Sequence, residues 1–136
     1  MSNESTYRRQ DASLSATKAL HNGAGADICD AFEVNPSGAL LAGCELEISA
    51  PVLAAGALPN AETVKYSIVS GSTTSPTTVI AADVLTQTGA GGVGAAAATK
   101  RFRLPTDVAR YAAVKATVSA GGGDCSASSF GAKLLT

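Results

Sequence analysis

The sequence predicts an all-β fold: a single β-sandwich or jelly roll of about eight short antiparallel strands with an extended N-terminal arm. Three observations carry that prediction. Apolar and polar residues alternate in several short segments, as in Cys44-Glu45-Leu46-Glu47-Ile48. Gly, Pro, Ser and Asn cluster between those segments. No stretch of helical length shows a 3.6-residue apolar period.

Residues 1–13, MSNESTYRRQDAS, are polar, and Tyr7, Arg8 and Arg9 are their only strong features. Such a segment lacks the apolar content to fold alone and reads as an arm. An aromatic beside two arginines suits a partner surface. Residues 14–136 are then the sandwich domain. Leu14 to Leu20 reads as a weak first strand and Ala26 to Phe32 as a second. Gly38 to Ala50 is the best early strand, with Cys44, Leu46 and Ile48 facing the core and the glutamates facing out. Pro51 and Pro59-Asn60 bracket a loop. Glu62 to Val69 alternates again, with Val64, Tyr66 and Ile68 on one face. Gly71 to Pro76 is a polar turn. Thr77 to Thr88 is β-branched, with an Ala81-Ala82-Asp83 interruption. Arg101 to Leu104, Tyr111 to Ser119 and Ser128 to Leu135 complete the strands. Thr106 to Arg110 is expected to form one helical turn capped by Thr106.

Length and composition fit this architecture. A chain of 136 residues is one domain, and at this size it buries roughly 68% of its unfolded surface without needing a staple. Hydrophobic residues make up 46% of it, but many are alanine, so the core should be thin. A sandwich core is only about 10 Å thick. Stability is then expected to lean partly on a partner surface.

The net charge of −1 favours neither nucleic acid nor an anionic membrane. The charge is unevenly spread, however. Between Ala12 and Glu62 one base, Lys18, stands against six acids, Asp27, Asp30, Glu33, Glu45, Glu47 and Glu62. Between Lys100 and Lys115 five bases stand against Asp107 alone. On different faces, these segments would make the molecule complementary to copies of itself or to a patterned lattice. The three cysteines, Cys29, Cys44 and Cys125, cannot all pair within one chain and are expected to be free, mostly buried thiols in a reducing compartment. No apolar run is long enough to span a bilayer, and the N-terminal segment lacks the apolar core of a secretory signal.

Side chains that do chemistry are scarce. His21 is the single histidine, with no carboxylate or cysteine at ligand spacing beside it. Gly89-Ala90-Gly91-Gly92-Val93-Gly94 matches G-x-G-x-x-G, but strand-like Arg101 to Leu104 follows where a helix would have to present its N–H groups to pyrophosphate. It reads instead as a long, flexible hairpin loop. Asp27, Asp30 and Glu33, with Glu45 or Glu47, lack the tight spacing of a calcium loop and read as solvated carboxylates. No G-x-S-x-G or comparable context supports a Ser-His-Asp arrangement. The sharpest surface feature is basic. Arg101 and Arg103 project together from one strand face, with Arg110 and Tyr111 close behind in sequence. Aromatic platforms for nucleic-acid bases are few, with three Phe, three Tyr and no Trp.

One resemblance runs through these elements. Glu45-Leu46-Glu47-Ile48, then Ala57-Leu58-Pro59-Asn60-Ala61-Glu62-Thr63-Val64-Lys65-Tyr66, then the Gly-rich loop, then Arg103-Leu104-Pro105 with Arg110-Tyr111 before a strand and a Gly turn, resembles the small cement or decoration proteins of tailed-phage capsids. It covers roughly Leu14 to Leu135 and departs at Ala112-Ala113 and Ala116, where larger apolar residues are usual. The resemblance implies a jelly-roll or sandwich fold, a homo-oligomer on the outer shell and no enzymatic activity. The expected function is a structural virion protein that bridges and stabilises neighbouring major capsid proteins. It would be assembled in the host bacterial cytoplasm and carried on the outer capsid surface. Tyr7, Arg8, Arg9, Arg101, Arg103, Arg110 and Tyr111 are its expected partner-binding residues. A dimer is favoured, since two-fold symmetry is commonest, with a trimer as the alternative. No cofactor, metal, nucleic acid or membrane partner is expected. The alternative function is a carbohydrate- or receptor-binding sandwich module. Such modules present exposed aromatic platforms, often Trp, which this chain lacks. A small enzyme is a third reading, and it wants for a catalytic constellation.

Overall fold

A computed structural model describes residues 15–35 and 44–135. Their backbone forms nine strands and no helix: β1 (Ser15–Ala19), β2 (Gly25–Ile28), β3 (Phe32–Glu33), β4 (Glu45–Ala50), β5 (Thr63–Gly71), β6 (Thr78–Thr88), β7 (Ala98–Arg103), β8 (Tyr111–Val118) and β9 (Ser129–Leu135). The expected arm, residues 1–13, and the first part of the expected Gly38–Ala50 strand lie outside the described residues.

All pairings are antiparallel. One sheet has the order β1-β9-β4-β7 and the other β2-β8-β5-β6, with β3 also on β8. Two strands appear where Ala26 to Phe32 predicts one, because Cys29 interrupts the ladder. Its N–H donates to the Val114 carbonyl at 3.1 Å, but its thiol sulfur, Sγ, takes the place of a carbonyl and accepts from the Val114 N–H at 3.4 Å. Counted as one broken strand, β2 and β3 reduce the set to eight, and each sheet draws alternately from both halves of the chain. That is the jelly-roll order.

Period-2 alternation fills the space between the sheets. Leu46, Ile48, Val64, Tyr66, Ile68, Val114 and Phe130 are all fully buried. Tyr66 of one sheet meets Phe130 of the other edge-to-face, with ring centroids 5.8 Å apart. Ala112, Ala113, Ala116 and Ala132 are buried as completely. Small residues on β8 and β9 let large ones opposite fill a thin core.

The Ala81-Ala82-Asp83 interruption in β6 is a bulge. The β5–β6 register shifts between Tyr66 and Ile68 and again between Ile68 and Val69. Asp83 takes a positive φ of 52°, and its N–H donates to Ser67 Oγ at 3.0 Å. Bulges twist an edge strand away from pairing with another chain. The helical turn expected at Thr106–Arg110 is absent. Val108 N–H bonds the Pro105 carbonyl at 3.2 Å, a reverse turn that ends because Arg110 must deliver the chain to β8.

The loops gather at two ends. At one, residues 20–24, 51–62, 89–97 and 119–128 are stitched together by Gly23 N–H to Gly123 O, Gly123 N–H to Ala57 O and Ala61 N–H to Gly89 O, each at 2.9 Å. At the other, residues 34–35, 72–77 and 104–110 meet. There Val34 and Asn35 both donate to the Arg110 carbonyl, and Ala109 N–H donates to Ser70 Oγ at 3.1 Å.

Candidate binding surface

The basic cluster read from the sequence is divided by the topology. Arg101 and Arg103 lie on β7, opposite Glu47 and Glu45 of β4. Arg101 Nε donates to Glu47 Oε2 at 3.1 Å. Lys133 of β9 flanks Glu47 from its other side, so the outer face of this sheet alternates in sign. Tyr111 opens β8 of the second sheet, and Arg110 stands just before it in the loop. Arg110 donates to Glu33 Oε2 at 2.6 Å, and its guanidinium sits 5.4 Å from the Tyr111 ring centroid. The Glu33 hydrogen bond pushes the Arg110 pKa up further. The acidic and basic segments are therefore cross-strand neighbours within one chain, and Arg101 and Arg110 are spent on it. Arg103 is exposed and has no ion pair among the described residues. Tyr7, Arg8 and Arg9 lie outside the described residues.

A different surface stands out at the first loop end. No charged residue occurs from Ile48 to Ala61 or from Val84 to Thr99. Antiparallel bonds between Leu53 and Ala95, at 2.8 and 2.9 Å, clamp these stretches together. Leu53 and Leu58 point in and are buried, while Val52 and Val93 point out and are 67% and 73% exposed. Ala54, Ala96 and Ala97 are exposed beside them. These exposed side chains are apolar, and the charge-free sequence around them is continuous.

A buried amide holds it in place. Gln87 Oε1 accepts from Tyr66 Oη at 2.7 Å, and Gln87 Nε2 donates to the carbonyls of Pro51 at 2.6 Å and Ala96 at 3.0 Å. One side chain thus ties the core to both loops, with every amide function engaged. Burial pushes the Tyr66 phenol well above its ordinary pKa, so it stays a donor. The Gly-rich loop is not a hairpin, because β6 and β7 lie in different sheets; its ends, Gly89 and Gly94, are buried while residues 90–93 are exposed. Ala90 and Gly94 bond each other, and Val93 N–H closes onto the Ala90 carbonyl at 3.0 Å. Gly94 has a φ of 71°, and a Cβ there would collide with the Leu53 carbonyl oxygen. A Cβ on Gly89 would strike the Leu58 and Pro59 carbonyls. Glycine here permits close approach of backbones.

The two carboxylates at this end are occupied by their own chain. Glu62 Oε1 accepts from Ser119 Oγ at 2.8 Å and Gly121 N–H at 3.0 Å. Asp124 accepts from the Ser126 hydroxyl and N–H, which holds its pKa below the usual carboxylate value. His21 does have a carboxylate partner, against the sequence expectation. Its Nδ1 lies 2.9 Å from Asp27 Oδ2, six residues away, because the turn over Gly23 folds β2 back beneath it. A Cβ on Gly25 would run into the imidazole. Among the described residues no three His, Cys, Asp or Glu gather as a metal-ligand group. Glu33 and Glu47 face separate arginines, and Asp27 faces His21. All three cysteines are free and buried, and desolvation pushes each thiol pKa up. Two grooves remain. One, of about 310 Å³, runs between Ile28–Asp30 and Thr74–Thr77, and the other, of about 460 Å³, lies at the second loop end.

The sequence does carry a signal for the apolar end, namely two long uncharged stretches too glycine- and alanine-rich to fill a core. Nothing in it indicates that Gln87 joins them. No protein-family model matches this chain, and no curated protein matches it.

Proposed function

We propose that this protein is a structural accessory subunit of a virus shell, a cement or decoration protein that docks on neighbouring major capsid proteins through its uncharged loop end. The observation that carries the reading is the pair of outward valines, Val52 and Val93, on loops fixed by backbone hydrogen bonds and by Gln87. A rigid apolar surface loses little conformational entropy on binding. The carboxylates beside it, Glu62 and Asp124, are hydrogen-bonded within their own chain, so docking there leaves neither without a partner. Exposed Arg103 adds a contact at the periphery. Repetition over a lattice turns individually weak joints into high avidity. Within the shell the subunit is a homo-oligomer, dimeric or trimeric, on the outer surface. The resemblance in strand spacing and the jelly-roll order support the same reading.

The test is a count of bound copies per purified particle, for the natural protein and for Val52→Asp with Val93→Asp. The natural protein is expected in fixed proportion to the major capsid protein, and the double variant is expected to be lost from particles while still folded. Absence of the natural protein from particles, or full occupancy by the variant, overturns the proposal.

A further inference from the structure

We infer that the groove at the second loop end is the seat of the chain's own N-terminal arm. The groove, about 460 Å³, is lined by Ser70, Thr78, Ile80, Pro105, Asp107 and Val108. Its apolar floor is Ile80, which is 37% exposed, with Pro105 and Val108. On its rim stands Asp107, an exposed carboxylate with no ion pair among the described residues. At the same end, Asn35 is buried and donates through Nδ2 to the Val108 carbonyl at 2.6 Å. Its Oδ1 is the one buried side-chain N or O atom among the described residues that has no hydrogen-bond partner. An aromatic side chain followed by a guanidinium would match this end. The ring covers Ile80 and Pro105, and the guanidinium donates to Asp107.

The arm supplies that pair in Tyr7-Arg8-Arg9, and its exit point allows the reach. Ser15 pairs with Lys133, and Leu135, two residues on, pairs with Glu45, which pairs with Arg103. The chain therefore leaves β1 at the end where Arg103 leads into Pro105 and Asp107. From β1 to β7 is three strand spacings, about 14 Å. The eight-residue step from Ser15 back to Tyr7 covers about 26 Å when extended. The arm can cross its own sheet end and still have length to enter the groove. The occupant is thus the same chain, and the seat is distinct from the uncharged end. Loss of the seat would leave the capsid reading standing.

The chain has no tryptophan, so Tyr7→Trp in the full-length protein places a single indole reporter. In the folded protein its emission is expected at shorter wavelength than in a synthetic peptide of residues 1–14 carrying the same change. Acrylamide quenching should be several-fold weaker. Adding Asp107→Lys, or separately Ile80→Asp, should return both readings toward those of the peptide. Asp107→Lys should also speed tryptic cleavage after Arg8 and Arg9 several-fold, whereas Asp124→Lys at the opposite end should not. Thermal melting of the same variants shows that the sandwich is intact. A peptide-like indole in the unaltered background overturns the inference. So does a buried indole indifferent to both groove variants, and so does burial that disappears on dilution, which would mean the arm of a second copy.

Discussion

The two ends of the sandwich are built on opposite principles. At the end formed by residues 51–62 and 89–97, backbone meets backbone across glycine, and a buried amide completes the joint. Its surface is left apolar. At the end formed by residues 34–35, 72–77 and 104–110, side chains do more of the joining, through Ser70, Asn35 and the Arg110–Glu33 pair, and a charged rim and an open groove remain. The first end has little freedom to rearrange and suits a fixed contact. The second has unmet polar capacity and suits a segment that arrives later.

The comparison is most sharply broken at glycine. Gly94→Val would force a β-branched residue to a positive φ and drive its Cβ into the Leu53 carbonyl. A loss of about 3 kcal/mol or more is expected in denaturant unfolding. Gly56→Ala, where a Cβ meets nothing within 4 Å, should change stability by less than about 0.5 kcal/mol. Equal effects would mean that the loops are not packed.

Gln87→Ala should rank next. It strands the Pro51 and Ala96 carbonyls and the Tyr66 hydroxyl, and each buried polar group left unpaired costs about 1–3 kcal/mol unless water enters. Hydrogen exchange should rise at Leu53 and Ala95 and stay unchanged at Asn35. Uniform exchange across both ends would show that Gln87 only supports global stability.

Alkaline titration gives a smaller effect. The folded Tyr66 pKa is raised by burial, so the neutral phenol is favoured in the native state. Above the unfolded tyrosine value, about pH 10, the unfolded chain releases a proton that the native chain keeps, and stability falls as pH rises. The three buried thiols, also raised, act in the same direction from somewhat lower pH. Tyr66→Phe should lower stability at neutral pH and flatten the decline above pH 10. A decline of unchanged steepness would place the titrating group elsewhere.

The smallest change belongs to the sheet face. Glu47→Gln removes the partner of Arg101, a pair whose arginine is largely exposed. Less than about 1 kcal/mol is expected, and less still at high salt. A larger loss would mean that the alternating face of β9, β4 and β7 carries stability that the loop ends do not.

Some of this was legible in the residues. Cys44-Glu45-Leu46-Glu47-Ile48 and Val64-Tyr66-Ile68 announce which side chains are buried, because a strand alternates faces whatever it pairs with. The Ala81-Ala82-Asp83 interruption was visible, though not that it is a bulge. The break at Cys29 was not legible, since it depends on a sulfur standing where Val114 needs an acceptor. Thr106 reads as a helix cap, yet the chain has too few residues before β8 to continue a helix. Of the expected binding residues, Arg101 and Arg103 do share a strand. Arg110 and Tyr111 stand at the start of β8 in the other sheet, the arginine in the loop and the tyrosine in the strand, and no local pattern separates them from Arg101 and Arg103.

By itself, then, the sequence determined the strand class, the inward residues of the central strands and the scarcity of catalytic groups. These are properties of period, composition and turn chemistry, all of which act over a few residues. Only the tertiary structure decided that Glu47 faces Arg101, that Glu33 faces Arg110, that Asp27 meets His21 and that the Gly-rich loop is locked against residues 53–59. Most of those outcomes come from strand order, which joins residues dozens of positions apart, and the His21–Asp27 contact comes from the turn over Gly23, which folds the chain back within six residues. A glycine permits both a loose loop and a close approach, and the backbone arriving opposite it chooses between them.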